Sequence, residues 1–138
     1  MKVLLDTNVV LDVLLNREPW SQYASQIWQA IDDGKIAGYI SACTLTDIFY
    51  IARKLSGREK AILAVQLCLD TFVVCLVDQQ VLIGALNLSG PDFEDNVQVA
   101  GAVYAEIDYI ITRDPAGFAG VAIPAIGPDE FVTGHLNS

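Results

Sequence analysis

The sequence predicts an α/β domain in which a parallel β-sheet is packed between helices. Short apolar runs alternate with longer segments of helical periodicity along the 138 residues. The first run, KVLLD at 2–6, has a continuous apolar centre, which is typical of a strand buried on both faces of a parallel sheet. Hydrophobic residues make up 53% of the chain and charged residues only 18%, so disorder is not expected. Strands that alternate with helices indicate a parallel α/β sandwich.

Apolar periodicity and turn residues predict the remaining elements in order. A first helix is predicted over 20–31, where Ser21 can cap the start and Asp32-Asp33-Gly34 can end it. Further strands are predicted at 36–41, 72–77, 108–112 and 121–126, and further helices at 44–55, 58–69, 78–88 and 92–105. The last strand is expected at a sheet edge, because Pro124 cannot donate a hydrogen bond to a neighbouring strand.

Composition and charge exclude several classes of protein. The longest apolar stretches fall short of the ~20 residues that a membrane span needs, and Asp6 and Asn8 interrupt the first apolar run where a signal peptide would continue. The net charge of −9 disfavours indiscriminate binding to nucleic acid or to an anionic membrane. Three cysteines without a C-x-x-C pair are typical of core residues in a reducing compartment. We expect a cytoplasmic protein with no membrane association, folded as a single domain of residues 1–138 in which 127–138 form a loose tail.

Five aspartates from separate segments are expected to meet at one edge of the sheet. Asp6 ends the first strand and Asp114 follows the strand at 108–112, so in a parallel sheet both emerge at the carboxyl edge. Asp47 lies early in the helix after the second strand, and Asp92 and Asp95 lie at the start of the helix that follows Gly90-Pro91. Clustered carboxylates raise their own pKa values or bind a cation. Oxygen ligands without a nearby Cys or His favour Mg²⁺ or Mn²⁺.

Each acid taken alone also has a plainer explanation. Asp92, three residues before Asp95, fits a helix cap followed by an acid in the first turn. The Asp6-Thr7-Asn8 segment fits an Asx turn after a strand. Asp47 fits a solvated helix acid, and Asp114 before a proline fits the start of a turn.

The ordered combination of motifs is more specific than any one of them. The segments LLDTNVVLD, SACTLTDIFY, DFEDNVQVAGA and DYIITRD occur in this order over residues 2–118. Together they resemble the PIN-domain ribonuclease family, and particularly the VapC-type toxins of bacterial toxin–antitoxin pairs. The resemblance implies a three-layer α/β/α fold around a central parallel sheet, a site for one or two Mg²⁺ or Mn²⁺ ions, and cleavage of RNA. It also implies an antitoxin partner, and exposed apolar surface on so small and apolar a domain would suit a homodimer.

The resemblance also assigns roles to matching residues. They are catalytic roles for Asp6, Asp47, Asp95 and Asp114, metal ligation by Asp6, Asp95, Asp92 and Asp114, and support from Asn8 and Thr112. The second acidic position is more often Glu in this family, and Asp47 is one methylene shorter, which weakens direct contact with a metal. Asp12, which falls outside this set, is interpreted as a helix-surface or supporting residue.

Metal-bound carboxylates would support in-line hydrolysis of a phosphodiester, leaving 5′-phosphate and 3′-hydroxyl ends. Four of the eight basic residues fall within 53–60. Lys54, and Arg58 if the helix continues past Gly57, would share a face with Asp47, and we predict that both contact RNA together with Arg113. The alternative for this basic cluster is a solvated helix end, where cations favour the C-terminal dipole.

Two other functions remain open from the sequence. A haloacid-dehalogenase-like phosphatase also begins with an aspartate after strand 1, but the residue two positions later is normally acidic and here is Asn8. A PIN-like domain that binds partners without turnover is the other alternative, which Asp47 and the acidic surface favour. The chemistry of the product ends separates the nuclease from the phosphatase.

Overall fold

A five-stranded parallel sheet forms the centre of the structure, a computed structural model that describes residues 1–118 and 120–137. The strands are β1 (Lys2–Leu5), β2 (Ala37–Ser41), β3 (Val73–Cys75), β4 (Tyr109–Ile111) and β5 (Ala125–Ile126). Their order across the sheet is β3-β2-β1-β4-β5. Strand β1 is central, and its Val3 lies opposite Gly38 of β2 and Tyr109 of β4. The predicted parallel sheet is therefore confirmed.

Helices cover both faces of this sheet. They are α1 (Thr7–Leu14), α2 (Ser21–Asp32), α3 (Ala42–Ser56), α4 (Arg58–Thr71), α5 (Gln79–Leu86), α6 (Phe93–Tyr104) and α7 (Pro128–Phe131). Along β1, Val3 and Leu5 pack into one hydrophobic cluster with α1 and α2, whereas Leu4 packs into another with α6. All three side chains are fully buried, so the fold is the three-layer α/β/α sandwich. Within the described residues, no helix is long and apolar enough to cross a membrane.

The predicted elements occur in the predicted order, but helix α1 was not among them and several local details differ. The segment after Asp6 is a helix, because the Asp6 carboxylate caps α1 by accepting a hydrogen bond from the Thr7 amide at 2.8 Å. Ser21 does not cap α2, since Trp20 holds the cap position and Ser21 is buried in the first turn. Helix α3 begins at Ala42, before the predicted start.

The C-terminal segment is folded, so the prediction of a loose tail over 127–138 is wrong. Helix α7 continues into a π-helical turn at Val132–Leu136. Phe131 is 0% exposed, and its ring lies 6.2 Å from that of Tyr109 and 5.0 Å from that of His135. One buried aromatic in a single helical turn leaves no periodic signal, which explains the wrong prediction. Ser138 lies outside the described residues.

Candidate metal centre

An acidic cleft of about 440 Å³ opens beyond the carboxyl ends of β1 and β4. Four parts of the chain supply its polar lining, namely the β1–α1 junction, α3, the start of α6 and the segment after β4. The polar side chains are Asp6, Thr7, Asn8, Asp47, Asp92, Glu94, Asp95, Gln98 and Asp114. The topology brings these segments together because parallel strands present their carboxyl ends at one edge. All five aspartates singled out in the sequence line this cleft.

Three donors hold the Asp6 carboxylate in the cleft. Its Oδ1 accepts hydrogen bonds from the Thr7 amide at 2.8 Å and from Gln98 Nε2 at 3.0 Å, and its Oδ2 accepts one from Thr112 Oγ1 at 2.9 Å. Gln98 and Thr112 are both buried, so neither donor is free to move away. Sequence reasoning missed Gln98, although its place three residues after Asp95 on α6 puts both on one helix face.

Asp95 is an acid of the cleft whose carboxylate lies close to several other negative charges. Burial, followed by the charges of Asp92, Asp6 and Asp114, raises its pKa from 3.8 to about 6. The helix-cap interpretation of Asp92 is also correct, since its Oδ1 accepts a hydrogen bond from the Asp95 amide at 2.9 Å. Asp92 therefore caps α6 and also lines the same cleft. The negative charges that lie together there favour a bound cation.

Glu94 is a further acid of the cleft that sequence reasoning overlooked. A carboxyl–carboxyl hydrogen bond with Asp47 is the largest cause that raises the pKa of Glu94, from 4.5 to about 7, followed by burial and the charges of Asp47, Asp92 and Asp95. The raised pKa therefore keeps the Glu94 carboxyl partly protonated near neutral pH. Glu94 stands between Asp92 and Asp95 in the DFED motif, which was the available signal.

The donors in the cleft fit a hard divalent cation in their chemistry. They are oxygen atoms, and Gln98 Oε1 is a buried acceptor in the cleft wall with no hydrogen-bond partner among the described residues. Such an atom is satisfied by a donor that enters the cleft, such as an ion-bound water. In residues 1–118 and 120–137, no three acidic, histidine or cysteine side chains lie close enough to ligate one ion as they stand. Mg²⁺ is usually held by one or two carboxylates together with several waters, so a site in this cleft does not need three such side chains close together.

Some of the residues predicted to support Asp6 or to contact RNA lie in the cleft, and others lie outside it. Of the two residues predicted to support the site, Thr112 donates to Asp6, whereas Asn8 lines the cleft and the second side-chain donor to Asp6 is Gln98. Helix α3 ends at Ser56, and Gly57 adopts a φ of 92°, so the helix does not continue to Arg58. Lys54 and Arg58 are exposed and lie outside the cleft lining, so their role in binding RNA stays a prediction.

A buried ion-pair network lies behind the cleft and includes the third predicted RNA contact. Asp12 is 0% exposed, so its interpretation as a surface residue is wrong. Its Oδ1 lies 2.9 Å from Arg17 Nε and its Oδ2 lies 3.0 Å from Arg113 Nε. Burial raises the pKa of Asp12, and both arginines oppose that rise. The Arg113 guanidinium also stacks 4.2 Å from the ring centre of Trp20.

Comparison with solved structures gives the same fold at low sequence identity. DNA-bound VapBC from Salmonella typhimurium matches with a TM-score of 0.70 and 19% identity, covering 93% of this chain and 98% of that one. A toxin–antitoxin complex from Klebsiella pneumoniae matches with a TM-score of 0.69 and 22% identity, covering 91% and 97%. The sarcin–ricin-loop-cleaving toxin VapC20 from Mycobacterium tuberculosis matches with a TM-score of 0.68 and 14% identity, covering 87% and 96%.

Sequence comparison identifies the family. No curated protein sequence matches this chain significantly. A sequence model described as a PIN domain matches residues 2–116, which is most of the chain and includes every acid of the cleft. This protein belongs to the PIN domain family.

Proposed function

We propose that this protein is a Mg²⁺- or Mn²⁺-dependent endoribonuclease and the toxin of a toxin–antitoxin pair. The observation that carries the proposal is the position of Asp95, whose pKa is raised by burial, by its neighbour Asp92 and by the carboxylates of two other parts of the cleft, Asp6 and Asp114. Membership of the PIN domain family and the fold shared with toxin–antitoxin structures support the same function. The phosphatase alternative is set aside because the family match covers the motif on which it rested.

The residues of the cleft have different roles in the proposed phosphodiester hydrolysis. One or two divalent ions held by Asp6 and Asp95, with Asp92 or Asp114, would supply an activated water and offset charge that develops on the phosphate. Gln98 and Thr112 fix both oxygens of Asp6, so this ligand is oriented before substrate arrives. Glu94, whose pKa is raised to about 7, first by its contact with Asp47, can accept a proton from water in its ionised form.

The proposal extends to partners and location. Exposed apolar side chains on α3 and α4, including Tyr50 at 69% and Leu63 at 62%, are unusual for a solvated surface. We assign this surface to protein partners, which are an antitoxin and a second copy of the chain. Cys68 and Cys75 are buried free thiols, which suits a reducing cytoplasm where RNA is also available.

The direct test is cleavage of a random-sequence single-stranded RNA pool by the purified protein in Mn²⁺, Mg²⁺ or EDTA. We expect cleavage only with metal, with 5′-phosphate and 3′-hydroxyl ends, and its loss in Asp6→Asn and Asp95→Asn. Asp70→Asn is the matched control, because it removes an exposed acid of α4 that does not line the cleft. Cyclic-phosphate ends, or cleavage that survives both cleft substitutions, would refute the proposed mechanism.

A PIN-like binding domain without turnover is the second candidate. Two observations favour it, namely the raised pKa of Glu94 and the absence, among the described residues, of three acidic, histidine or cysteine side chains grouped to hold an ion. Under this alternative the metal raises the melting temperature little, and no RNA is cut at any pH. Metal stabilisation together with cleavage decides for the nuclease.

A further inference from the structure

The buried carboxylate of Asp12 joins two arginines from segments that are far apart in the chain. Arg17, held at Asp12 Oδ1, also donates from Nη2 to the backbone oxygen of Asn8 at 3.3 Å. Arg113, held at Asp12 Oδ2, stands between Thr112 and Asp114 in the chain. The buried acid therefore ties the segment after β1 to the segment after β4.

The residues on either side of Arg113 both belong to the candidate metal centre. Thr112 Oγ1 donates to Asp6 Oδ2 at 2.9 Å and accepts a hydrogen bond from the Asp114 amide at 3.1 Å. A change in the backbone at Arg113 would consequently alter the positions of both the Asp6 carboxylate and the Asp114 carboxylate. The Trp20 ring covers the Arg113 guanidinium from the other side, at 4.2 Å.

The contact between Asp12 and Arg113 is an ion pair and not an aligned hydrogen bond. Although the atoms lie 3.0 Å apart, Arg113 Nε and Asp12 Oδ2 are both buried without a well-directed hydrogen-bond partner among the described residues. Buried ion pairs of this kind contribute little net stability relative to apolar side chains of similar volume. Stability alone therefore gives a weak reason for placing this pair behind the cleft.

We infer that Asp12 is a positioning residue that turns Arg113 away from the acidic cleft and holds Thr112–Asp114 in place. The arginine adjoins a cleft in which several carboxylates repel one another, and it would be attracted to them if it were released. Asp12 neutralises that cation on the far side of the segment, which leaves Asp114 and Asp6 available to a divalent ion. This role deepens the proposed function and rests on it.

Asp12→Asn tests the inference, because asparagine keeps the shape of the side chain and removes its charge. We expect the affinity for Mn²⁺, measured by calorimetry, to fall about tenfold, the size of effect typical of residues that orient metal ligands. Adding Arg113→Gln to Asp12→Asn should restore part of that affinity, because the released cation is then gone while Thr112–Asp114 still lack their contact with Asp12. Phe72→Leu is the matched control, since it weakens a buried contact with Trp28 outside the cleft.

A readout independent of metal and RNA is the amide NMR spectrum of the metal-free protein. Asp12→Asn should shift the amides of Thr112 and Asp114 and the indole of Trp20, whereas Phe72→Leu should leave them in place. Equal Mn²⁺ affinity and unshifted resonances in Asp12→Asn would overturn the inference, as would a double variant whose affinity is not restored. If the wild-type protein binds no Mn²⁺, the proposed function fails, and the resonances of Thr112 and Asp114 alone decide whether Asp12 positions this segment.

Discussion

Replacing Asp95 with asparagine should stabilise the metal-free protein while removing its activity. The ionised Asp95 carboxylate is destabilised by burial and by the charges of Asp92, Asp6 and Asp114. No hydrogen bond to the Asp95 carboxylate from the described residues offsets this cost. Asp95→Asn keeps the shape of the side chain and removes the repulsion, so folding should become more favourable when no cation is present.

The size of the gain follows from the raised pKa. A move from 3.8 to about 6 corresponds to about 3 kcal/mol, at about 1.36 kcal/mol per pH unit. Asp95 is partly exposed, so solvent and salt screening reduce this figure. The lost attraction to the start of α6 removes about 0.3–1 kcal/mol more. We therefore expect a net gain of about 1 kcal/mol at pH 7.5 in EDTA, or a rise in melting temperature of about 3–5 °C for a domain of this size.

The pH dependence has a defined sign. Because the folded-state pKa of Asp95 is raised, the folded protein binds this proton more tightly than the unfolded chain does. The destabilisation is absent near the ordinary pKa of 3.8, grows as pH rises, and is complete above about 6. The advantage of Asp95→Asn should accordingly shrink as pH falls from 7.5 toward 4.

Thermal unfolding followed by circular dichroism checks this prediction in EDTA and in Mg²⁺. In EDTA at pH 7.5 the Asp95→Asn protein should melt above the wild type, and Mg²⁺ should raise the melting temperature of the wild type but not that of Asp95→Asn. Asp70→Asn, which lies outside the cleft, should melt like the wild type in EDTA and be stabilised by Mg²⁺ to the same extent. An Asp95→Asn protein that melts below the wild type in EDTA would refute the claim that the cleft carries uncompensated negative charge.

Three further substitutions test separate parts of the account. Gln98→Met removes both the donor to Asp6 and the buried acceptor that has no hydrogen-bond partner among the described residues. Metal-dependent cleavage should therefore fall about 10–100-fold while the melting temperature stays nearly unchanged. A large loss of stability would contradict this. Asp47→Asn should return the pKa of Glu94 from about 7 toward 4.5 in a carboxyl ¹³C NMR titration without metal, and an unchanged midpoint would show that the two groups do not interact. Phe131→Ala should cost about 3–5 kcal/mol in urea unfolding, whereas a loss below about 1 kcal/mol would mean that the C-terminal segment contributes little to the core.

The sequence predicted those features that depend on local pattern and on parallel topology. Asp6 and Asp114 follow strands that are neighbours in the sheet, so the carboxyl-edge rule brings them together without knowledge of side-chain contacts. Asp92 and Asp95 needed only the start of α6 to be placed correctly. The acidic cleft is thus largely a consequence of strand order.

The features that the sequence did not predict depend on long-range contacts or on very short elements. Asp12 and Arg113 are 101 positions apart, and nothing in either local segment shows that they form a buried ion pair. Gln98 resembles any other helix residue until the structure shows that its Nε2 donates a hydrogen bond to Asp6 Oδ1. Phe131 anchors a single helical turn, which is too short for apolar periodicity to reveal.

The central claim is that carboxylates from separate segments form one cation site. Calorimetric titration of the metal-free protein with Mn²⁺ tests it most directly, with Asp6→Asn, Asp95→Asn and the control Asp70→Asn measured alongside. We expect the wild type and Asp70→Asn to bind with equal affinity, and both cleft variants to lose measurable binding. Wild-type protein that binds no Mn²⁺, or cleft variants that bind it as tightly as the wild type, would contradict the claim.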